Sequence, residues 1–345
     1  MDDYAQYYEA RQHLNLSQVA FEVVEHDKYE FQDKPSFTRM LNRIFEMYRD
    51  CANASITPVC DAYQEHVEKQ LEGLTCLSEK NAVAATLRAA YRKELIETAN
   101  SYPREHPFKV QLNRENYAYI ADCMDPENDY GGIPGRYIKA VIEEYARKPL
   151  VEREKIIFRE FIDLAEGCIA AQRAMIITLR GNDRYEVKPY SICVDKGYNY
   201  NYLVGLSRKA GTQQEEKISS FRLSKIGTYK SSGRSGRITD AQKKELEQKL
   251  QSVGVQFLLL DPEIIRVKLT DHGRQMYETQ AHLRPAFRSR SQNSDGTWTY
   301  EFLCAHLQAQ FYFFRFGSDA EVLFPAGLRS LFKTMYMEAL EKYGV

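Results

Sequence analysis

The residues best equipped for chemistry in this chain are cations interleaved with tyrosines over residues 188–229, KPYSICVDKGYNYNYLVGLSRKAGTQQEEKISSFRLSKIGTY. Such a mixture suits a single-stranded nucleic acid. Cationic side chains follow the phosphate backbone, and stacking on an aromatic ring contributes ~1–3 kcal/mol per base. Alternation along a strand places Lys188 with Tyr190 and Tyr200 with Tyr202 on shared faces; it sends Phe221 and Leu223 inward, Arg222 and Ser224 outward. The expected contacts are therefore Lys188, Tyr190, Tyr202, Arg208, Arg222, Ser224 and Lys225. Lys209, Lys230, Arg234 and Arg237 extend the track through a flexible SSGRSG segment. Against this, a strand tyrosine is as often half-buried as ligand-facing, and a single cation is more often solvated surface.

Charge partition strengthens the polyanion reading. Of 345 residues with a net charge of −1, residues 171–250 carry 16 Lys/Arg against 8 Asp/Glu. Residues 1–170 carry 21 against 30, and residues 251–345 balance at 10 each. A basic block in an otherwise neutral-to-acidic chain is the footprint of a polyanion site.

Other chemistries find little footing. Seven cysteines are scattered without a CxxC pair, and the seven histidines are equally dispersed, so neither a disulfide framework nor a metal site is expected. GGIPG at 131–135 lacks the Lys-Ser/Thr of a phosphate loop. No nucleophile has a recognisable base partner. The expectation is no catalytic residue, no metal and no cofactor. No apolar run reaches the ~18 residues of a membrane span, and the polar start MDDYAQYYEARQ is unlike a signal peptide. A cytoplasmic protein without membrane contact follows.

The elements that must position these residues read as follows. Strands end at Val194 and Leu206, joined by a turn at Asp195-Lys196-Gly197, and a third spans 218–226. The N-terminal half is mostly helical with two strand-like interruptions, at 13–17 and 108–113. Each is followed by helix, loop and helix: 18–31 and 36–50 in the first case, 115–124 and 136–147 in the second. Ser36 is the expected N-cap of its helix. Residues 55–100 read as two helices parted at Gly73, and 150–172 as one linking helix.

The repeated strand-helix-loop-helix pattern resembles the ribbon-helix-helix motif of small bacterial DNA-binding proteins. In that family two strands pair into a ribbon whose outward side chains enter the major groove. The corresponding outward residues are His13, Asn15 and Ser17 in one copy and Lys109, Gln111 and Asn113 in the other; the inward ones are Leu14, Leu16, Phe108, Val110 and Leu112. Two copies in one chain can pair internally. Asn15, Lys109 and Gln111 are thus secondary nucleic-acid candidates, although the acidic charge of this half favours a scaffold over a DNA reader.

Residues 173–230 resemble the WYL domain, a small Sm-like β-barrel. The likeness rests on KPYSICVDKGYNYNYLVG and FRLSKI; the name-giving tripeptide stands as Asn201-Tyr202-Leu203, without its tryptophan. The region after 251 resembles the extension that follows WYL domains, a ferredoxin-like α+β unit. There 264–269, 297–303 and 308–316 are expected strands, 270–279 is a helix, and FGSDAEVLFPAGLRSLFKTMYMEALEKYG supplies a closing strand, proline and helix. Phe311, Phe313, Phe314 and Phe316 fit a core or a subunit interface.

The resulting fold class is α+β multidomain: a mostly helical N-terminal half with ribbon-helix-helix-like elements, an Sm-like small β-barrel and a ferredoxin-like C-terminal domain. Expected boundaries are 1–54 and 107–172 for the two ribbon units, 55–106 for a helical connector, 173–237 for the WYL domain and 238–345 for a dimerising extension. Taken together, the chain resembles the WYL-domain accessory proteins of type VI-D CRISPR systems. That resemblance implies a non-catalytic homodimer that binds single-stranded RNA and stimulates an RNA-guided, RNA-cleaving CRISPR effector nuclease. The rival readings are a WYL-type transcription regulator, binding DNA through its N-terminal half and sensing a nucleotide or small anion in the barrel, and an assembly scaffold.

Overall fold

Alternation in RQHLNL makes the first strand, β1 (Arg11–Leu16), and buries Leu14 and Leu16 beneath it. Two helices follow, α1 (Gln18–Phe31) and α2 (Phe37–Tyr48). In α2 the buried Met40, Leu41, Ile44, Phe45 and Tyr48 fall at helical spacing, and the Ser36 side chain caps it by accepting from the Arg39 N–H. After α3 (Ile56–Gln70) and α4 (Leu77–Ala99) the pattern returns as β2 (His106–Gln111), α5 (Arg114–Cys123), α6 (Pro134–Ala146) and α7 (Leu150–Ile157). The structure, a computed structural model, describes residues 11–51, 54, 56–73, 76–99, 101–123, 130–195, 197, 199–258 and 260–344. The expected helix end at Met124, residues 125–129 of the following loop and Lys196 of the 195–197 turn lie outside them.

The two strands pair with each other. β1 and β2 form an antiparallel ribbon in which Arg11 faces Gln111 and Leu16 faces His106. Each copy then steadies the helix start of the other. Ser17 caps α1 and donates from its N–H and hydroxyl to Glu143 of α6, both at 2.7 Å. Asn113 caps α5 through the Asn116 N–H, and its own N–H donates to Asn42 of α2 at 2.8 Å. Ser17, expected outward, is therefore buried, because its side chain is consumed in capping. Deeper in this unit Asp27 is fully buried and accepts from Tyr145 at 2.7 Å and from Arg153 at 2.8 and 3.1 Å.

The chain divides into two compact units, Met1–Ile157 and Phe158–Val345. The single linking helix expected over 150–172 is broken where they meet, since Phe158 leaves helical geometry at φ −103°, ψ 22°.

The second unit opens with α8 (Arg159–Ala170) and a five-stranded antiparallel sheet: β3 (Arg173–Leu179), β4 (Arg184–Val194), β5 (Asn201–Lys209), β6 (Lys217–Arg222) and β7 (Ile226–Ser235). Strand order is β6-β5-β4-β3-β7. A 3-10 turn, Leu223–Lys225, carries the chain from one edge of the sheet to the other. Among the described residues β6 and β7 do not pair, so no barrel closes, unlike the closed Sm-like barrel expected. The SSGRSG stretch, expected to be flexible, lies largely within β7, where Arg173 faces Ser235 and Met175 faces Ser231. One face of the sheet packs Met175, Ile177, Val187, Leu203 and Phe221 against Phe161, Ala165 and Cys168 of α8.

Next come α9 (Asp240–Val253), β8 (Glu263–Leu269), α10 (Asp271–Thr279), β9 (Phe287–Gln292), β10 (Trp298–Cys304), α11 (His306–Phe313), β11 (Ala320–Phe324) and α12 (Ala326–Glu341). The four strands order as β11-β8-β10-β9, every pair antiparallel. The strand expected over 308–316 is helical. Gln308, Ala309, Tyr312, Phe313 and Phe316 are buried at helical spacing, so packing overrides the β preference of the aromatics. Phe313 and Phe316 belong to the core, whereas Phe311 is 53% exposed.

Candidate nucleic-acid interface

Four of the expected cations, Lys188, Arg208, Lys230 and Arg234, gather in one part of the sheet, around a carboxylate the sequence reading passed over. Register places Lys230 of β7 opposite Ile176 of β3, Ile176 opposite Glu186 of β4, and Glu186 opposite Arg208 of β5. Paired residues of an antiparallel sheet share a face, so these four form one row about 14 Å long at the usual strand spacing. Arg208 grips Glu186 through two nitrogens at 2.7 and 3.0 Å. From the β7 edge, Arg234 reaches the same carboxylate at 3.1 Å. Burial raises the Glu186 pKa, but the bonds from Arg208 and Arg234 outweigh it and hold the carboxyl below its ordinary value. The same bond raises the affinity of Arg208 for its proton.

Lys188 lies two residues along β4, on the same face, and bridges to Glu216 at 2.9 Å. Lys209 pairs with Asp183 at 2.9 Å, while Lys225, Lys230 and Arg237 are exposed. Cations thus outnumber carboxylates across this part of the sheet. The guanidiniums of Arg208 and Arg234 are both directed by Glu186, and Arg234 remains 70% exposed. The planar fork of a guanidinium can bind two oxygens of one phosphate at once.

The remaining candidates sit elsewhere. β4 carries a register shift between Pro189 and Ser191, so simple alternation fails at Tyr190. There β4 crosses β5 closely: a Cβ on Gly205 would lie 2.1 Å from the Lys188 carbonyl oxygen. Beyond this point the same face is covered. Tyr190, Cys193, Tyr202 and Ile218 pack against a cluster of Val204 with Leu246, Val253, Val255, Phe257 and Leu258. Tyr190 and Tyr202 are therefore half-buried wall residues, not the open stacking platform expected of them. The Tyr190 hydroxyl donates to Glu247 of α9 at 2.5 Å, and that bond, with burial, raises its pKa.

Arg222 stands opposite Tyr202 and lays its guanidinium 3.3 Å from the ring centre of Tyr200. Burial lowers its pKa to about 10, which leaves it charged at neutral pH. Ser224, expected to point outward beside Arg222, is fully buried, because the strand has already given way to the 3-10 turn. Asn15, Lys109 and Gln111 belong to the ribbon of the other unit. Lys109 is exposed; Asn15 and Gln111 are half-buried.

Glu186 is the residue missed. The signal was present, since it lies two residues before Lys188 and must share its face. Among the described residues no group of His, Cys, Asp and Glu is arranged to hold a metal ion, and no helix is long and apolar enough to cross a membrane.

No known protein family matches the sequence, and no curated protein is similar to it. A solved structure described as a CRISPR Cas-related protein is similar, with a TM-score of 0.75 and 22% identity over 97% of this chain and 94% of that one. The fold is shared. Proteasome accessory factor B/C (PafBC) of Arthrobacter aurescens aligns with a TM-score of 0.31 and 13% identity over 71% of this chain and 40% of that one, too weakly to carry an argument.

Proposed function

We propose that the chain is a non-catalytic, single-stranded RNA-binding accessory protein of a CRISPR system, and that it stimulates a type VI-D, RNA-guided, RNA-cleaving effector nuclease. The observation that carries the RNA reading is the cationic row Lys230–Glu186–Arg208 with Arg234 and Lys188 beside it. A backbone-directed site of this kind needs no fixed base order and tolerates the covered tyrosines. The CRISPR reading is supported by the shared fold with a protein described as CRISPR Cas-related. In this reading the five-stranded sheet is the WYL domain and the four-stranded unit after it a ferredoxin-like extension. That extension joins two copies through its open sheet face, where Ile264, Leu323 and Phe324 are exposed.

A competition between unstructured RNA, single-stranded DNA and duplex DNA at several salt concentrations tests the binding. RNA is expected to win, with affinity falling steeply as salt rises. Adding the protein to the effector should raise RNA cleavage, and the protein alone should cut nothing. One observation favours the rival regulator: the two internal copies form a paired ribbon with Lys109 and His13 exposed. Tighter binding to a palindromic duplex than to RNA would establish that reading instead.

A further inference from the structure

The acidic N-terminal unit contains a cleft of about 590 Å³ whose lining runs against its overall charge. Arg104, Lys109, Arg136 and Lys139 converge on it with His13, and among the described residues no carboxylate lines it. Arg104, Lys109 and Arg136 form no ion pair among the described residues. Lys139 is tethered by the Tyr102 and Pro103 carbonyl oxygens at 3.1 and 2.9 Å. Burial lowers its pKa, and the nearby Arg104 charge adds to that, opposed by Glu143. Like charges gathered in this way are stabilised by an anion between them.

Three further features narrow the anion. The Asn15 side-chain oxygen is buried with no partner among the described residues, so one acceptor stands among the donors. It calls for a hydroxyl or amino donor on the ligand, groups that a ribose and a base both carry. Phe108 adds an aromatic wall, held edge-on by Phe37 with ring centres 5.3 Å apart. The volume lies within the range of small-ligand sites. Gly135, at the start of α6, lets that helix approach the ribbon: a Cβ there would lie 3.0 Å from the His13 carbonyl oxygen. Its N-terminal turn, Arg136 included, is thereby brought to the cleft.

We propose that this cleft binds a nucleoside 5′-phosphate, its phosphate among Arg104, Lys109, Arg136 and Lys139, its sugar or base meeting Asn15 and Phe108. The source is a free nucleotide or the phosphorylated end of an RNA. This site is separate in sequence and in fold from the cationic row of the five-stranded sheet and does not depend on it.

The test is calorimetric titration of the full chain with uridine 5′-monophosphate, uridine, inorganic phosphate, and one short RNA carrying either a 5′-phosphate or a 5′-hydroxyl. The nucleotide is expected to bind at least tenfold more tightly than uridine or phosphate. R104Q with R136Q is expected to lose that preference while keeping its circular dichroism and melting temperature. Asn15→Ala should weaken the nucleotide more than phosphate. The variants R208Q and R234Q in the other unit should bind the nucleotide as the parent does, which keeps this result distinct from failure of the RNA-binding row. Preference for the 5′-phosphorylated RNA over its hydroxyl twin assigns the source to RNA ends; binding of the free nucleotide alone assigns it to the nucleotide pool. The proposal is overturned if the nucleotide fails to bind at millimolar concentration, if phosphate or uridine binds equally well, or if R104Q with R136Q binds unchanged. It is equally overturned if the cleft variants lose only duplex DNA.

Discussion

Replacing Arg208 and Arg234 together with glutamine tests the cationic row most directly, because the two share one carboxylate. For a single strand, each phosphate neutralised adds ~0.7 to the slope of log K against log salt. Two lost contacts should flatten that slope by ~1.4 and weaken binding by roughly 25-fold near 0.1 M salt. The geometry adds a second effect. Without its two arginines, Glu186 keeps its charge and faces the phosphates alone, so the double variant should fall below that value. Introducing Glu186→Gln into the same background should recover part of the loss. In the parent chain, Glu186→Gln should strengthen binding, since both guanidiniums are released from the carboxylate that now occupies them. Fluorescence anisotropy of a labelled, unstructured RNA, followed over a salt series, reads all four proteins. An unchanged salt slope in the double variant, or weaker binding by the Glu186→Gln protein, would falsify the assignment of this row as a phosphate track.

Other outcomes follow from the same geometry. Arg153→Met should lower stability by about 3–5 kcal/mol in chemical denaturation, because it strands the buried Asp27 carboxylate; a loss under about 1 kcal/mol would contradict the burial described. Gly205→Ala forces β4 and β5 apart at the Tyr190 shift and should cost on the order of 1–3 kcal/mol while reducing RNA affinity through Lys188; a variant that melts like the parent refutes the close crossing. Tyr202→Ala should lower the melting temperature more than the RNA affinity, since the ring packs in a core; the reverse order would restore its stacking role. The folded-state pKa of Glu186 is depressed, so its stabilisation is present above the unfolded value near 4.5 and lost as pH falls through the folded value. The melting-temperature gap between the parent and Glu186→Gln should accordingly narrow as pH drops below that range, and a gap that widens on acidification would show the sign to be wrong.

Much of the N-terminal unit was legible because its signals are local. The Gln18–Phe31 helix, the Ser36 cap and the two alternating strands rest on spacing within a few residues. The cationic face was legible in part. Alternation correctly turned Phe221 inward, then failed at Tyr190, where an irregular pairing near Gly205 leaves no mark in periodicity. Tyr190 and Tyr202 looked exposed because nothing in their own strands announces that α9 covers them. That information lies some forty residues away. Gln308–Phe316 misled for the opposite reason: aromatic residues favour strands, and only the packing of Tyr312 and Phe313 selects the helix. The cleft was invisible, as His13, Arg104 and Arg136 meet only after the ribbon has formed.

The internal ribbon has a consequence for how this protein is made. β1 is complete by residue 16, yet its partner strand ends at residue 111. At a synthesis rate of roughly 5–20 residues per second, β1 waits on the order of 5–20 s on the ribosome before its partner strand exists. Ser17 waits longer, since its capping partner Glu143 follows by 126 positions. An alternating apolar strand left open for that time is a template for mispairing between neighbouring nascent chains. The reward comes after release. Both strands belong to one polypeptide, so the ribbon assembles at any dilution, and its two halves need not be alike: Ser17 pairs with Glu143 where Asn113 pairs with Asn42.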